Sequence, residues 1–264
     1  MRILWLANAP WSPTGYGTGT ARVIWHLKDQ GHEVIVLAFY GLQGAPLKAN
    51  GILVLPGGRD PYGNDVCLAD YEYHNCDVVI SFMDVWVLNP GLMSRMRWYP
   101  WLPVDHDPTP PAVVSTLQAG ARRPIAYCKW GAQKLREAGF DPLMVPLSVP
   151  TDEFFPVDRA KARQALGCPE DRFLVGMVAA NKGMPSRKAF DEHVRAFKVF
   201  QQRHNDAMLY LHTEFDSPHG ISISQLLRLN EIPPESVAQP SPYQFRRGLI
   251  DNEFMRHAYS AMDV

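Results

Sequence analysis

The stretch RILWLANAPWSPTGYGTGTARVIWHLKDQGHEVIVLAFY, residues 2–40, decides the fold. It opens with an apolar run, RILWLANA (2–9), of the length of a buried strand, and closes with a second, EVIVLAFY (33–40). Between them, residues 20–30 carry Val23, Ile24 and Leu27 at helical spacing, and Gly31 supplies the stop. Strand, helix and strand in so short a span make a βαβ unit, which builds a parallel sheet. The turn Thr14-Gly15-Tyr16-Gly17-Thr18-Gly19 leads directly into the helix. Glycines there let the backbone approach a ligand, and a helix N-terminus offers free N–H groups to a phosphate or carboxylate. The spacing is not G-x-G-x-x-G, and Glu33 comes too early for a ribose-binding acid, which argues against NAD. A tight turn without a ligand is the alternative.

The pattern continues outward from that unit. GILVL (51–55), DVVISF (77–82), WYPWLPV (98–104), PIAYC (124–128) and LMVP (143–146) read as further strands, with Pro100 and Pro103 counting against the third. Residues 1–150 therefore form one doubly wound α/β domain. SVPTDEFFP (148–156) is a polar linker bracketed by prolines, and a second domain follows over residues 151–264. It begins with a charged helix (158–166) stopped by Gly167 and a strand, RFLVGMVA (172–179). An amphipathic helix (187–204) follows, with Phe190, Val194, Phe197 and Phe200 near one face, then the strand MLYLH (208–212). Helices over 222–229 and 251–262 flank a short strand from Val237. The closing AMDV reads as a helix running into a strand, so the second domain is expected to be cut short.

Composition bounds the function. The chain has 264 residues, 46% hydrophobic and 20% charged, with a formal net charge of −1, so no nucleic-acid partner is expected. Its four cysteines, Cys67, Cys76, Cys128 and Cys168, form no C-x-x-C pair, which fits a reducing cytoplasm. Nothing reads as a signal peptide or membrane span, so the expected location is cytoplasmic, at most peripheral to a membrane. Many of the 23 prolines fall where strands should end, the mark of functional loops at strand ends.

Three segments can carry chemistry. Asp105-His106-Asp107 follows a strand, where ligand crevices of open α/β sheets lie. A histidine between two carboxylates can be held in one tautomer and donate to a sugar or phosphate oxygen; a solvated charge cluster is the alternative. No second His or Cys lies at ligand spacing, so no metal is expected. In Asn181-Lys182-Gly183-Met184-Pro185-Ser186-Arg187-Lys188, two cationic groups at a strand–helix turn suit a diphosphate, with a solvated basic loop as the alternative. Glu214, Asp216 and His219 follow another strand and read as a polar loop. Trp5, Trp25, Trp86, Trp98, Trp101 and Trp130 read as packing, whereas Trp11, in the glycine-rich loop, is a candidate sugar platform.

Taken in order, these features resemble the retaining glycosyltransferases of family 4, whose GT-B fold has two facing Rossmann-like domains. Thr14-Gly15-Tyr16-Gly17 and then Gly31-His32-Glu33-Val34 are similar to the family's opening motif. PLSVPTDEFF (146–155) resembles its interdomain segment, residues 173–197 the start of its donor domain, and Tyr259-Ser260-Ala261-Met262-Asp263-Val264 its Y-x-x-A-D-V. The resemblance implies an acceptor-side first domain and a donor-binding second domain. It implies that Gly15, Tyr16 and Gly17 approach donor or acceptor, and that His106 faces the transferred sugar. It further implies that Lys188, with Arg187 and the neighbouring Asn181, binds the phosphates of a UDP- or GDP-sugar. His106 and Lys188 are the catalytic pair on this reading, and the acceptor could be a glycan, a lipid or a small molecule.

Two departures qualify the resemblance. Gly176-Met177-Val178-Ala179-Ala180-Asn181 lacks the family's Gly-Arg, leaving that phosphate contact missing or supplied by Arg187. The E-x7-E motif, the second glycine-rich loop and the final helix are expected beyond residue 264. The alternatives are therefore a catalytically incomplete pair of domains that binds a sugar nucleotide or a partner, a GT-B sugar-nucleotide epimerase, and a glycosyltransferase acting on DNA, which the near-neutral charge disfavours. An unfinished sheet also exposes an edge, which favours self-association.

Overall fold

The opening run forms β1 (Arg2–Asn8), hydrogen-bonded in parallel to a neighbour on each side and buried on both faces. Alternate residues divide between two cores, as the strand period of two requires. Leu4 and Leu6 join one core, with Ile35, Leu37 and Val79, while Trp5 and Ala7 join the other, with Val36, Ala38 and Phe82. The computed structural model describes all 264 residues, which divide into two units, Met1–Ser148 and Val149–Val264.

In the first unit β1 leads to α1 (Gly15–Asp29), β2 (Glu33–Tyr40), β3 (Leu47–Ala49), β4 (Ile52–Pro56), α2 (Cys67–Tyr73), β5 (Val78–Phe82) and α3 (Pro90–Met93). Then come β6 (Trp98–Leu102), α4 (Pro111–Gly120), β7 (Ile125–Ala126), α5 (Lys129–Glu137) and β8 (Leu143–Met144). The sheet order is β3-β4-β2-β1-β5-β6-β7-β8, parallel except for the antiparallel β3–β4 pair. Pro100 is tolerated inside β6 because β7 pairs with that strand only at Trp101 and Leu102.

Helix α1 starts five residues before the expected position. Thr14 is its N-cap, its hydroxyl accepting from Gly17 N–H at 3.0 Å, so the glycine-rich segment is the first turn of the helix. Two of its glycines serve close packing. A Cβ on Gly17 would lie 2.3 Å from the Ser12 carbonyl oxygen, and one on Gly19 2.5 Å from the Phe82 ring. Helix α4 has no counterpart among the sequence expectations.

The second unit runs α6 (Arg159–Leu166), β9 (Phe173–Val178), α7 (Phe190–Gln201), β10 (Ala207–His212), α8 (Ile223–Leu229), β11 (Val237–Ala238), α9 (Pro242–Arg247) and α10 (Asn252–Ala261). Its parallel sheet has the order β11-β10-β9. Phe190, Val194 and Phe197 of α7 pack with Leu209, Leu211 and Ile223. On the far side of β9, Asp263 N–H donates to the Leu174 carbonyl and Gly176 N–H to that of Val264, at 2.9 and 2.8 Å. Arg163, fully buried, fastens this region. It donates to the carbonyls of Ala261, Pro169, Glu170 and Arg172 and to Asp263 Oδ2. No helix is long and apolar enough to cross a membrane.

Candidate functional site

In the first unit, the loops after β1, β5 and β6 meet at the carboxyl end of the sheet, where open α/β folds bind ligands. Tyr16, in the first turn of α1, donates its phenol to Asp84 Oδ2 at 2.8 Å. Burial, and then the bond to Asp84 and its charge, push the Tyr16 phenol well above its usual range, with a smaller push from Asp105. Tyr16 therefore remains a donor at any physiological pH. Beneath it Phe82, Trp101, Tyr127 and Trp5 form a cluster, with Phe82 4.9 Å from Trp101 and 5.5 Å from both Tyr16 and Tyr127, centroid to centroid. At the end of β1 the buried Asn8 gives its amide N–H to Thr14 Oγ1 at 2.6 Å, while its Oδ1 has no partner.

His106 stands exposed after β6, with Nδ1 2.6 Å from Asp105 Oδ1. An ionised carboxylate only accepts, so the proton sits on Nδ1 and Nε2 is left for a ligand. The expected second flank is absent, because Asp107 turns to Lys134, which also holds Glu137, both at 2.8 Å. Gly15 is exposed with open space about its Cα, and the N–H groups of Gly15 and Tyr16 have no acceptor within the chain. Gly17 is buried, its missing Cβ taken up by Ser12 rather than facing open space. Asp84 was not singled out in the sequence. Its signal is the same as that of Asp105, the first acid after a parallel strand.

In the second unit, the loop after β9 carries Lys182, Arg187 and Lys188, all exposed and none in an ion pair or side-chain hydrogen bond. Helix α7 starts only at Phe190, after Ala189 in the left-handed conformation (φ 54°), so Arg187 and Lys188 stay in the turn rather than in the helix. Asn181 differs from the expectation that groups it with the ligand-binding residues. It is buried, donates to the carbonyls of Glu214 and Ile221 at 3.1 and 2.7 Å, and accepts from Ile221 N–H at 3.1 Å. A short amide wedged between two loops satisfies itself locally and pins them together.

Beside it, at the ends of β10 and β11, is a polar pocket of about 130 Å³ lined by Thr213, Glu214, Asp216, Gln239, Phe245 and Arg246 among others. The Thr213 hydroxyl is buried without a partner. Glu214 pairs with Arg246 at 2.9 Å, and Asp216 accepts from Ser222 and Ser224 at 2.6 and 2.7 Å. His219 gives its carbonyl to Gly183 N–H at 2.7 Å. His212 closes β10, buried against Tyr210, Phe245 and Phe254, and burial lowers its pKa.

No family model matches the chain, and no curated protein matches it in sequence. Solved structures do match in fold. WaaG, a glycosyltransferase involved in lipopolysaccharide biosynthesis, superposes with a TM-score of 0.64 at 13% identity, over 91% of this chain and 70% of that one. MnaA of S. aureus, in a co-structure with UDP, gives 0.57 at 10% identity over 94% and 71%. The UDP-GlcNAc 2-epimerase of Neisseria meningitidis, bound to UDP-GlcNAc, gives 0.53 at 10% identity over 95% and 75%. The two parallel-sheet units are therefore Rossmann-like units of the GT-B type.

Proposed function

We propose that the chain is a glycosyltransferase that uses a nucleotide-diphosphate sugar, without a metal and with retention at the anomeric carbon. The observation that carries this reading is the set of three unpaired cations, Lys182, Arg187 and Lys188, in the turn after the first strand of the second unit. An arginine fork and lysine point charges suit a diphosphate, and they stabilise the charge that grows on a departing UDP or GDP. On this reading Lys188 and Arg187 hold the phosphates, and the neighbouring pocket takes the base, with the orphaned Thr213 hydroxyl as a ready partner. In the first unit, His106, oriented by Asp105, offers Nε2 to a sugar hydroxyl, and the exposed Gly15 turn offers its free N–H groups to donor or acceptor. The likeness to WaaG supports transfer.

The likeness to a UDP-GlcNAc 2-epimerase favours a second reading, epimerisation of the sugar on its nucleotide. Incubating the chain with UDP-GlcNAc and no acceptor separates the two, because only an epimerase changes the configuration at C2. For the transferase, His106→Ala should lower kcat more than it raises KM, while Lys188→Ala should weaken the donor. Kinetics unchanged in both variants would overturn the assignment of these residues.

A further inference from the structure

The three tryptophans that the fold leaves exposed, Trp11, Trp86 and Trp130, all stand in segments that follow parallel strands at one end of the first sheet. Trp11 follows β1, Trp86 follows β5 in a single 3-10 turn, and Trp130 follows β7 in the first turn of α5. Tyr40, at the end of β2, is the exposed aromatic on the other side of β1. Their relative exposures, 43 to 59%, contrast with 0 to 6% for Trp5, Trp98 and Trp101. Strands β2, β1, β5, β6 and β7 are consecutive neighbours, so at about 4.8 Å per strand the strand ends that lead into these segments span about 19 Å. Exposed aromatics are ordinary singly; a row of four along one functional edge calls for a ligand.

Two of the rings are held in place. Trp11 donates Nε1–H to the Gly41 carbonyl at 2.7 Å, tying its ring to the end of β2. Trp130 lies under Lys134 Nζ, 5.8 Å from the ring centre, and that lysine bonds Asp107 in the loop after β6. Between the rings come Asp84 and Asp105, partnered by a phenol and an imidazole and by no lysine or arginine. Asp84 and Asp105 outweigh the exposed Lys129 beside Trp130, and carboxylates among the rings disfavour anionic lipid headgroups and phosphates. They accept hydrogen bonds from hydroxyls, while flat aromatic faces take up the apolar C–H faces of sugar rings.

We infer that this edge binds a neutral oligosaccharide, with Trp11, Trp86 and Trp130 as stacking platforms and Asp84 and Asp105 as hydroxyl acceptors. The inference rests on the glycosyl-transfer reading only in making that oligosaccharide the acceptor.

The test is a glycan array of neutral and acidic oligosaccharides, probed with the full chain and with Trp11→Ala and Trp86→Ala. UDP titrations and phosphatidylglycerol vesicles serve as separate arms. The expected result is saturable binding to neutral chains of three or more sugars, weakened at least tenfold in either variant, with UDP affinity and far-ultraviolet circular dichroism unchanged. A blank array from folded protein, glycan binding indifferent to both substitutions, or selective binding to the vesicles would overturn the inference. The UDP arm is read independently, so failure of the donor-site reading and failure of the glycan edge are distinguishable.

Discussion

Tyr16 donates its phenol to Asp84 at 2.8 Å, joining the first turn of α1 to the residue two beyond the end of β5. The bond spans two strand ends and sets the spacing of the loops that carry the candidate site in the first unit. Tyr16→Phe should cost about 1–2 kcal/mol, since hydrogen bonds to charged groups are worth more than neutral ones. Chemical denaturation of the two proteins reads that difference directly.

The same burial has a titration signature. Tyr16, Tyr127 and Tyr210 all have phenols pushed well above the ordinary range, chiefly by burial. A spectrophotometric titration of the folded chain to about pH 11 should ionise at most seven of its ten tyrosines, and the rest only on unfolding. Ionisation of all ten before the circular dichroism changes would contradict the packing described.

Gly15 and Gly17 stand two residues apart and should respond oppositely to alanine. Gly17→Ala places a Cβ 2.3 Å from the Ser12 carbonyl oxygen and should destabilise by about 2 kcal/mol, as overpacking does. Gly15→Ala meets open space at the helix start and should be neutral or stabilise by up to about 1 kcal/mol. Thermal melts of the two variants test the helix start at Gly15 against the later start that hydrophobic spacing favours.

Why that start was hidden has a physical cause. Alternating Thr, Gly and Tyr carry no apolar period, and three glycines have poor helix propensity, so only the cap at Thr14 and the close approach to Ser12 and Phe82 make the segment helical. The strands β1, β2, β5 and β10 were legible because parallel strands buried on both faces read as unbroken apolar runs; β9, half-exposed at the end of its sheet, was legible from its apolar composition alone. The cation turn was legible for its composition. Its geometry was not, because the left-handed Ala189 that delays α7 leaves no mark in sequence. Exposure of Trp86 and Trp130 could not be read from residue type, which for tryptophan fits core and surface alike. Their positions just past strand ends were the available signal.

Arg163 and Asp263 lie 100 residues apart in sequence and 2.6 Å apart in space, the guanidinium fully buried. Arg163→Met should cost about 3 kcal/mol or more, because it strands a carboxylate and several carbonyls in the interior. Arg159, which also reaches Asp263 at 2.8 Å, should soften the loss. Arg163→Lys should recover little of it, since a point charge cannot reproduce the fork. Urea unfolding monitored by the fluorescence of a tryptophan introduced in the second unit would measure these differences.

His212 supplies a pH dependence. Burial lowers its folded pKa below the unfolded value near 6.5, so the unfolded chain binds more protons just below that pH. This contribution leaves stability level above about pH 6.5 and reduces it as pH falls towards the folded pKa. The drop in melting temperature between pH 7.5 and 5.5 should be smaller in His212→Gln than in the parent protein. An equal drop in both would remove His212 as its source.

The central claim is that the unpaired cations of the second unit bind a nucleoside diphosphate. Calorimetric titration of the folded 264-residue chain with UDP, GDP and ADP, repeated with Lys188→Ala, tests it most directly. The account predicts saturable binding of one nucleotide without added metal, weakened about tenfold by Lys188→Ala, as loss of about 1.4 kcal/mol at a charge-assisted contact implies. Absence of binding to all three, or binding indifferent to the loss of Lys188, would contradict it.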